Sequence, residues 1–402
     1  MRLSDTTRNS RVHASIPSRR EVLPPWFVTS YPGSTWLIDI TLYSTIHRLL
    51  VAYERGRGKE TRVFPFRPRA FGIRSVTITL DLFAMHRVMT PKERAVAALE
   101  LRTPDYVPHF ELEFQLAPEM FGRDLLPESL VGDNLAKLTA KEKERELRAT
   151  AEFILSVYTA LEYSIIPGPY GLPEAESYQL QRYLRELMGD DRMIGFHGDG
   201  TFAIPDGNGI YELAYAMTDD PDSVKAQAEK MADEAIERNK RRQAAGVDVL
   251  LLCSDYCFNS GPFISPDMFR EFIQPYLARI IEAARKDGLY TIKHTDGNIM
   301  PIIDQLVECR PHALHSLDPM AGVDIQEVKR QYGRQVCLCG NVHCAAMQTG
   351  TDEEVIASAE YALTHGKPGG GYIFCTSNIP FKGMPPERYR MILEIWKRRR
   401  AY

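Results

Sequence analysis

From Met89 onward, short runs of apolar, β-branched or aromatic residues alternate with amphipathic helical stretches, and the alternation repeats eight times. The runs fall at residues 107–114, 161–166, 193–196, 247–252, 290–293, 313–317, 335–338 and 371–374. Helical patterns cover residues 141–160, 174–187, 221–245, 265–287, 300–308, 324–332, 352–365 and 386–400. Eight strand-and-helix units predict an α/β fold that closes as a (β/α)8 TIM-type barrel, whose usual size is about 250 residues before insertions. The rival is an open doubly wound sheet, which needs a glycine-rich phosphate loop after its first strand. Residues 109–115 read H-F-E-L-E-F-Q and offer none. The cluster Gly369, Gly370 and Gly371 precedes a strand, so it suits a tight turn rather than a phosphate cradle.

The predicted barrel fills residues 89–402. Ahead of it, residues 1–88 hold 13 Arg and 1 Lys against 6 acids, in a chain whose overall net charge is −4. A seam in composition therefore falls near Met89. The leading stretch shows no amphipathic helix and no strand-and-turn rhythm, and is expected to be a poorly structured basic extension, disordered or lying ahead of the true start. At the seam, Thr90 is placed as an N-cap and Pro91 as the first helical residue.

Composition excludes several classes of partner. No window of about 20 uncharged apolar residues exists, so no membrane span is expected, and no leader peptide is recognisable. A pI near 6.2 gives no reason to expect nucleic acid. Seven cysteines, an odd number, do not read as a disulfide framework, and a reducing cytoplasm is expected. Cys337 and Cys339 alternate with Val336 and Leu338 at strand spacing, which makes them core residues rather than part of a metal cluster with Cys344.

In a parallel barrel the substrate meets the loops at the carboxyl ends of the strands. Those exits carry Glu111 and Glu113, Tyr170, His197 and Asp199, then Ser254, Asp255, Tyr256 and Asn259. They continue with His294, Asp296 and Asn298, with His315 and Asp318, with Asn341 and His343, and with Cys375, Ser377 and Asn378. The opposite ends read as ordinary turns. So one-sided a distribution favours an enzyme over a scaffold, with a non-catalytic ligand-binding barrel as the alternative.

The motifs G-P-F-I-S-P-D-M-F-R-E-F-I-Q-P-Y-L (residues 261–277), H-T-D-G-N (294–298), S-L-D-P (316–319), C-G-N-V (339–342) and G-G-Y-I with P-P-E-R-Y (370–389) resemble, in consecutive order, the uroporphyrinogen decarboxylase (URO-D) superfamily. The resemblance covers residues 89–400. It implies a (β/α)8 barrel and two main chemistries: cofactor-free decarboxylation of acetate arms on a tetrapyrrole (porphyrin-type) substrate, and methyl transfer to or from a corrinoid, with zinc holding the acceptor or donor.

The decarboxylase branch opens with an arginine-rich R-Q-A-G-R segment for the substrate carboxylates. Here Glu111 and Glu113 stand in that region, two carboxylates that would repel a polyanion, and Asn378 replaces a histidine. The methyltransferase branch carries H-x-C after its fifth strand and a further cysteine after its eighth. Here the first becomes His294-Thr295-Asp296 and the second is Asn378, with Cys375 three residues earlier. The resemblance thus implies a divergent member nearer the methyltransferase branch.

On that reading the protein is a methyl (C1) transferase or demethylase acting on a small molecule. Its corrinoid is carried by a partner protein, and zinc is held by His294, Asp296 and Cys375. Glu111 or Glu113 handles the proton, while Asp255 and Tyr256 orient the substrate. His197, Asp199, Asn259, Asn298, Asp318, Asn341 and Asn378 complete the substrate pocket. Three points stay open: a tetrapyrrole decarboxylase needing no cofactor, direct substrate binding by His294 and Asp296 with no metal, and a homodimer.

Overall fold

Among the described residues, the first helix begins where the composition changes. Thr90 caps helix Pro91–Leu99 through a capping box: its hydroxyl accepts from Glu93 N while the Glu93 carboxylate accepts from Thr90 N. The computed structural model describes residues 88–402 in full and, ahead of them, the backbone of the strands Thr35–Asp39, Arg48–Arg55 and Gly58–Pro65. Those three pair antiparallel in chain order, within a unit separate from residues 88–402. The expectation of a poorly structured extension passed over this sheet; otherwise it concerns residues outside the described ones. Arg55 pairs with Gly58 at one end of the second of these ladders.

The main unit is a TIM-like α/β barrel. Its seven parallel strands are β1 (Ile165–Pro167), β2 (Met193–His197), β3 (Val249–Cys253), β4 (Tyr290–His294), β5 (Ala313–His315), β6 (Cys337–Val342) and β7 (Tyr372–Thr376). They hydrogen-bond in chain order from β1 to β7. Nearly every strand residue is buried, because helices cover the outer face while side chains fill the inside.

The expected strand at residues 107–114 is not one. The chain there still fills the gap between β7 and β1: Phe374 N donates to Pro108 O, Phe110 N donates to Phe374 O, and Ser164 N donates to His109 O. Pro108 has no N–H, so a regular ladder cannot run through this stretch. Its side chains still alternate. Phe110 packs on the His315 ring, 6.2 Å between centroids, whereas His109 meets Tyr389 and Trp396 of helix Pro386–Arg399. One set faces the barrel interior and the other the helical layer.

The longer helices, Ala140–Ala160, Glu174–Met188, Pro221–Ala244, Asp352–Gly366 and Pro386–Arg399, lie where the periodicity places them. The single helix expected over residues 265–287 instead breaks at Ile273 into Pro266–Phe272 and Gln274–Lys286. Pro275 cannot donate to the preceding turn, and its ring displaces the backbone there. A helix at Gly209–Asp219 was not anticipated. Among the described residues, no helix is long and apolar enough to cross a membrane. All seven cysteines are unpaired, and Cys337, Cys339 and Cys344 are buried in the core as their spacing suggested.

Candidate active site and metal centre

His294 ends β4, and Asp255 and Asp296 follow the ends of β3 and β4 by two residues each. One ligand atom from each lies within 4.8 Å of the others. His294 Nε2 stands 3.5 Å from Asp255 Oδ1 and 3.8 Å from Asp296 Oδ1. On the other side of the ring, Nδ1 lies 2.8 Å from Nδ1 of His315, which is paired in register with His294 across β4 and β5. One of those two nitrogens must donate to the other. Burial drives the His294 pKa down to about 3, with the Lys293 charge adding to it, and burial also holds His315 well below the ordinary histidine range. Both rings are therefore neutral at neutral pH. When His294 donates through Nδ1, its Nε2 lone pair faces the two carboxylates.

Asp296 Oδ2 accepts from Asn378 Nδ2 at 2.5 Å, while Oδ1 is buried and makes no hydrogen bond. Burial, then the charges of Asp255 and Asp318 against the opposing effect of Ser316, push its carboxyl up to about 7. A buried carboxylate oxygen beside an imidazole lone pair and a second carboxylate is costly unless a proton or a cation sits among them. Imidazole with two carboxylates suits zinc or another divalent ion, so the residues present fit a metal. They are a harder set than one containing a thiolate.

The backbone makes this convergence possible at one glycine. Gly297 has φ +79°, and a Cβ there would sit 2.4 Å from Cys257 O and 2.6 Å from Phe258 O. Only glycine lets the loop after β4 lie against the small hairpin Cys257–Phe258 and Gly261–Pro262. Asn298 N then donates to Phe258 O, Tyr256 N to Thr295 Oγ1, and Asp296 N to Asp255 Oδ1. The two aspartates are clamped side by side.

Several expected site residues lie elsewhere. Cys375 is fully buried in β7 and outside the cluster, and Asp255 takes the third position instead. Glu111 lies on the helix-facing side with His109, because it is two residues on. Its carboxyl accepts from Thr376 N and Oγ1, and burial raises it to about 8, so it keeps its proton there. Glu113 accepts from Gln115 and lines a cavity of about 330 Å³ with Tyr158, Tyr170 and Lys382.

Asp199 and Tyr256 belong to a buried network around Lys293, a residue the strand-exit reasoning missed. Lys293 Nζ donates to Asp199 Oδ2 at 2.8 Å and sits 4.0 Å over the Tyr256 ring. Asp199 also accepts from Thr201, whose hydroxyl is paired with that of Tyr256. Tyr256 packs on Phe269 of helix Pro266–Phe272, so the network faces the helical layer, opposite His294. A lone lysine inside the apolar strand Y-T-I-K-H was the available signal, since a buried lysine requires a buried acid.

The remaining residues are spread around the mouth. His197 ends β2 with a buried, unpartnered Nδ1, its ring 6.4 Å from that of Tyr170. Asp318 caps the turn Pro319–Ala321 through Met320 N, and burial raises its carboxyl pKa. Asn341 Nδ2 donates to Leu317 O, and Asn298 Oδ1 accepts from Met300 N, so both hold loops. Asn259 is exposed beside the hairpin.

Fold and site together define a TIM-like barrel with an acid and histidine cluster at the carboxyl ends of its strands. Residues 201–399 match the family model for uroporphyrinogen decarboxylase (URO-D). A curated uroporphyrinogen decarboxylase from Anaeromyxobacter dehalogenans is 26% identical over 207 residues, 50% of this chain and 57% of that protein. The chain thus spans little more than half the length of that relative. A solved methyltransferase from Methanosarcina mazei is similar with a TM-score of 0.61 at 17% identity, covering 77% of this chain and 99% of that one. At that identity the likeness speaks to the fold. Residues 201–399 thus carry a uroporphyrinogen decarboxylase-type domain, divergent in sequence from that relative.

Proposed function

We propose that this protein is an enzyme that moves a methyl group to or from a small molecule, working with a separate corrinoid protein, and that Asp255, His294 and Asp296 hold zinc or another divalent ion. The observation that carries the reading is the meeting of three ligand atoms within 4.8 Å, one of them a buried carboxylate oxygen with no hydrogen bond. The uroporphyrinogen decarboxylase-type match over residues 201–399 and a fold shared with a methyltransferase support it. When bound, the ion supplies Lewis acidity at the substrate heteroatom, and the corrinoid supplies the methyl acceptor or donor. His315 fixes the ring of His294, and Asn378 fixes the carboxylate of Asp296. Seven unpaired cysteines suit a reducing, cytoplasmic setting.

A second reading, without metal, is favoured by one observation. Asp296 holds a proton near neutrality, with its pKa raised to about 7, and can hand it to a leaving oxygen or nitrogen as a general acid. Tetrapyrrole decarboxylation is disfavoured on new grounds. Glu111 is buried and protonated, but Asp255, Asp296 and Asp318 put acidic groups at the mouth where acetate arms would have to bind.

Metal analysis of the purified protein and of His294→Ala tests the reading, together with an assay for methylation of free cob(I)alamin by methylated amines, ethers or thioethers. A stoichiometric divalent ion that His294→Ala loses, with turnover lost as well, is the expected result. Asp296→Cys should retain zinc by restoring a soft ligand. A metal-free active enzyme would transfer the case to the general-acid reading. If His294→Ala and Asp296→Ala both stay within about twofold of the parent, roughly 0.4 kcal/mol, the site lies elsewhere. Conversion of uroporphyrinogen above background would restore the decarboxylase alternative.

A further inference from the structure

A cavity of about 690 Å³ lies beside the end of β2, between helices Glu174–Met188 and Pro221–Ala244. None of Asp255, His294 and Asp296 lines it. Arg242 does, and it is only 8% exposed. Its guanidinium lies 4.6 Å over the Phe196 ring, yet two of its three nitrogens, Nε and Nη1, are buried without an acceptor. A cation taken out of water without a partner is among the most costly arrangements in a fold.

Of the acids around the cavity, Glu174 attracts Arg242 at a distance, but none accepts a hydrogen bond from its Nε or Nη1. Glu174 accepts from Arg241, and Asp233 from Arg279. Glu237 pairs with Lys240 at 2.6 Å, and Glu234 lies 3.9 Å from Lys230. Arg238, also in the lining, donates to Asp199 O and adds positive charge next to Arg242. Burial first, then the Arg238 charge, lowers the Arg242 pKa to about 10, so the side chain stays cationic at neutral pH. The carboxylates of the lining are engaged with other cations, and Arg242 is left without an acceptor of its own at Nε and Nη1.

We propose that this cavity is a binding site for a small anionic molecule, a carboxylate or phosphate monoanion or dianion received by Arg242, with the Phe196 and Leu172 side walls taking its apolar part. The volume falls in the range of small-molecule sites, about 300–1,000 Å³, and leaves room beyond the anionic group. The site is independent of the metal cluster, so the two stand or fall separately.

Thermal unfolding of the full chain, dialysed into a chloride buffer, tests this with inorganic phosphate and with malonate titrated at matched ionic strength. The parent protein should show a saturable rise in Tm of about 5 °C with at least one of them, as expected for a ligand near a hundred times its Kd. Which one acts distinguishes a phosphate from a carboxylate ligand. Arg242→Met should lose that response. Without the anion its Tm should equal or exceed the parent's, because a buried unpaired charge has been replaced by an apolar side chain of similar size. Three outcomes overturn the proposal: no saturable shift in the parent protein with either anion, the same shift in Arg242→Met, or failure of Arg242→Met to fold in chloride buffer, which would make Arg242 part of the framework.

Discussion

His294 can serve a metal only if its ring cannot turn, and the restraint on it is another histidine. His315 engages Nδ1 of His294 and touches neither carboxylate of the cluster in any hydrogen bond. On the proposed metal-binding reading, His315→Leu should therefore weaken metal affinity about 10–100-fold while leaving Asp255, His294 and Asp296 in place, as loss of such orienting partners generally does. Competition with a chelator measures this, and unchanged affinity would mean that the ring is held by other contacts. Glu111 offers a test by pH. Burial raises its folded pKa from 4.5 to about 8. The stability it contributes is thus fully present below the unfolded value and is lost as pH rises toward and through the folded one. Glu111→Gln does not ionise and keeps an oxygen for Thr376, so its advantage over the parent in unfolding free energy should widen between about pH 5 and pH 8, by at most about 1.4 kcal/mol per pH unit. A gap that is flat with pH would show that Glu111 ionises freely. His294, Asp255 and Asp296 were legible as polar residues at strand exits, but the rule that found them does not say which side of the barrel a residue faces. Glu111, Asp199 and Tyr256, read by the same rule, have side chains turned toward the helical layer.

Elements were easier to read than residues wherever a period ran uninterrupted, and proline marks where it fails. Seven of the eight expected strands form, and the eighth is interrupted at Pro108 while its chain still closes the gap between β7 and β1. Pro275 divides one expected helix in two. Helix Gly209–Asp219 escaped notice because it exposes Tyr211 and Tyr215, which blurs the contrast between its faces. The loop after β4 is the element on which the site depends, and Gly297 is its vulnerable point. Gly297→Ala places a methyl group against two carbonyl oxygens at a positive φ. Left-handed strain of about 1 kcal/mol and overpacking of about 1–3 kcal/mol should lower Tm by several degrees and move Asp296 away from Asp255. Metal affinity, or turnover if the site is metal-free, should fall together with Tm. A stable variant with an unaltered site would show that the loop has room to shift.

At the scale of the whole molecule, the seam in charge near Met89 coincides with the boundary between the two units, which falls between Arg87 and Val88. Closure of the barrel lies wholly on the far side of that boundary. Val107 N donates to Arg400 O, Trp396 Nε1 donates to Val107 O, and Tyr106 bridges Ala401, so the first and last segments of the barrel hold each other. The helix that opens the unit carries its own capping box and needs nothing before Thr90 except the peptide N–H. A chain beginning at Met89 should therefore melt within about 5 °C of the full chain and keep the same metal content and turnover, since a larger fall would correspond to roughly 1–2 kcal/mol or more at this size. Removal of residues 386–402 makes the contrasting case, because it strips Tyr389 and Trp396 from His109 and exposes the interior along the 107–111 segment. That shortened chain should fail to fold cooperatively. If instead the chain starting at Met89 proves the unstable one, the three antiparallel strands of the leading unit support the barrel, and the seam in composition does not mark a boundary in folding.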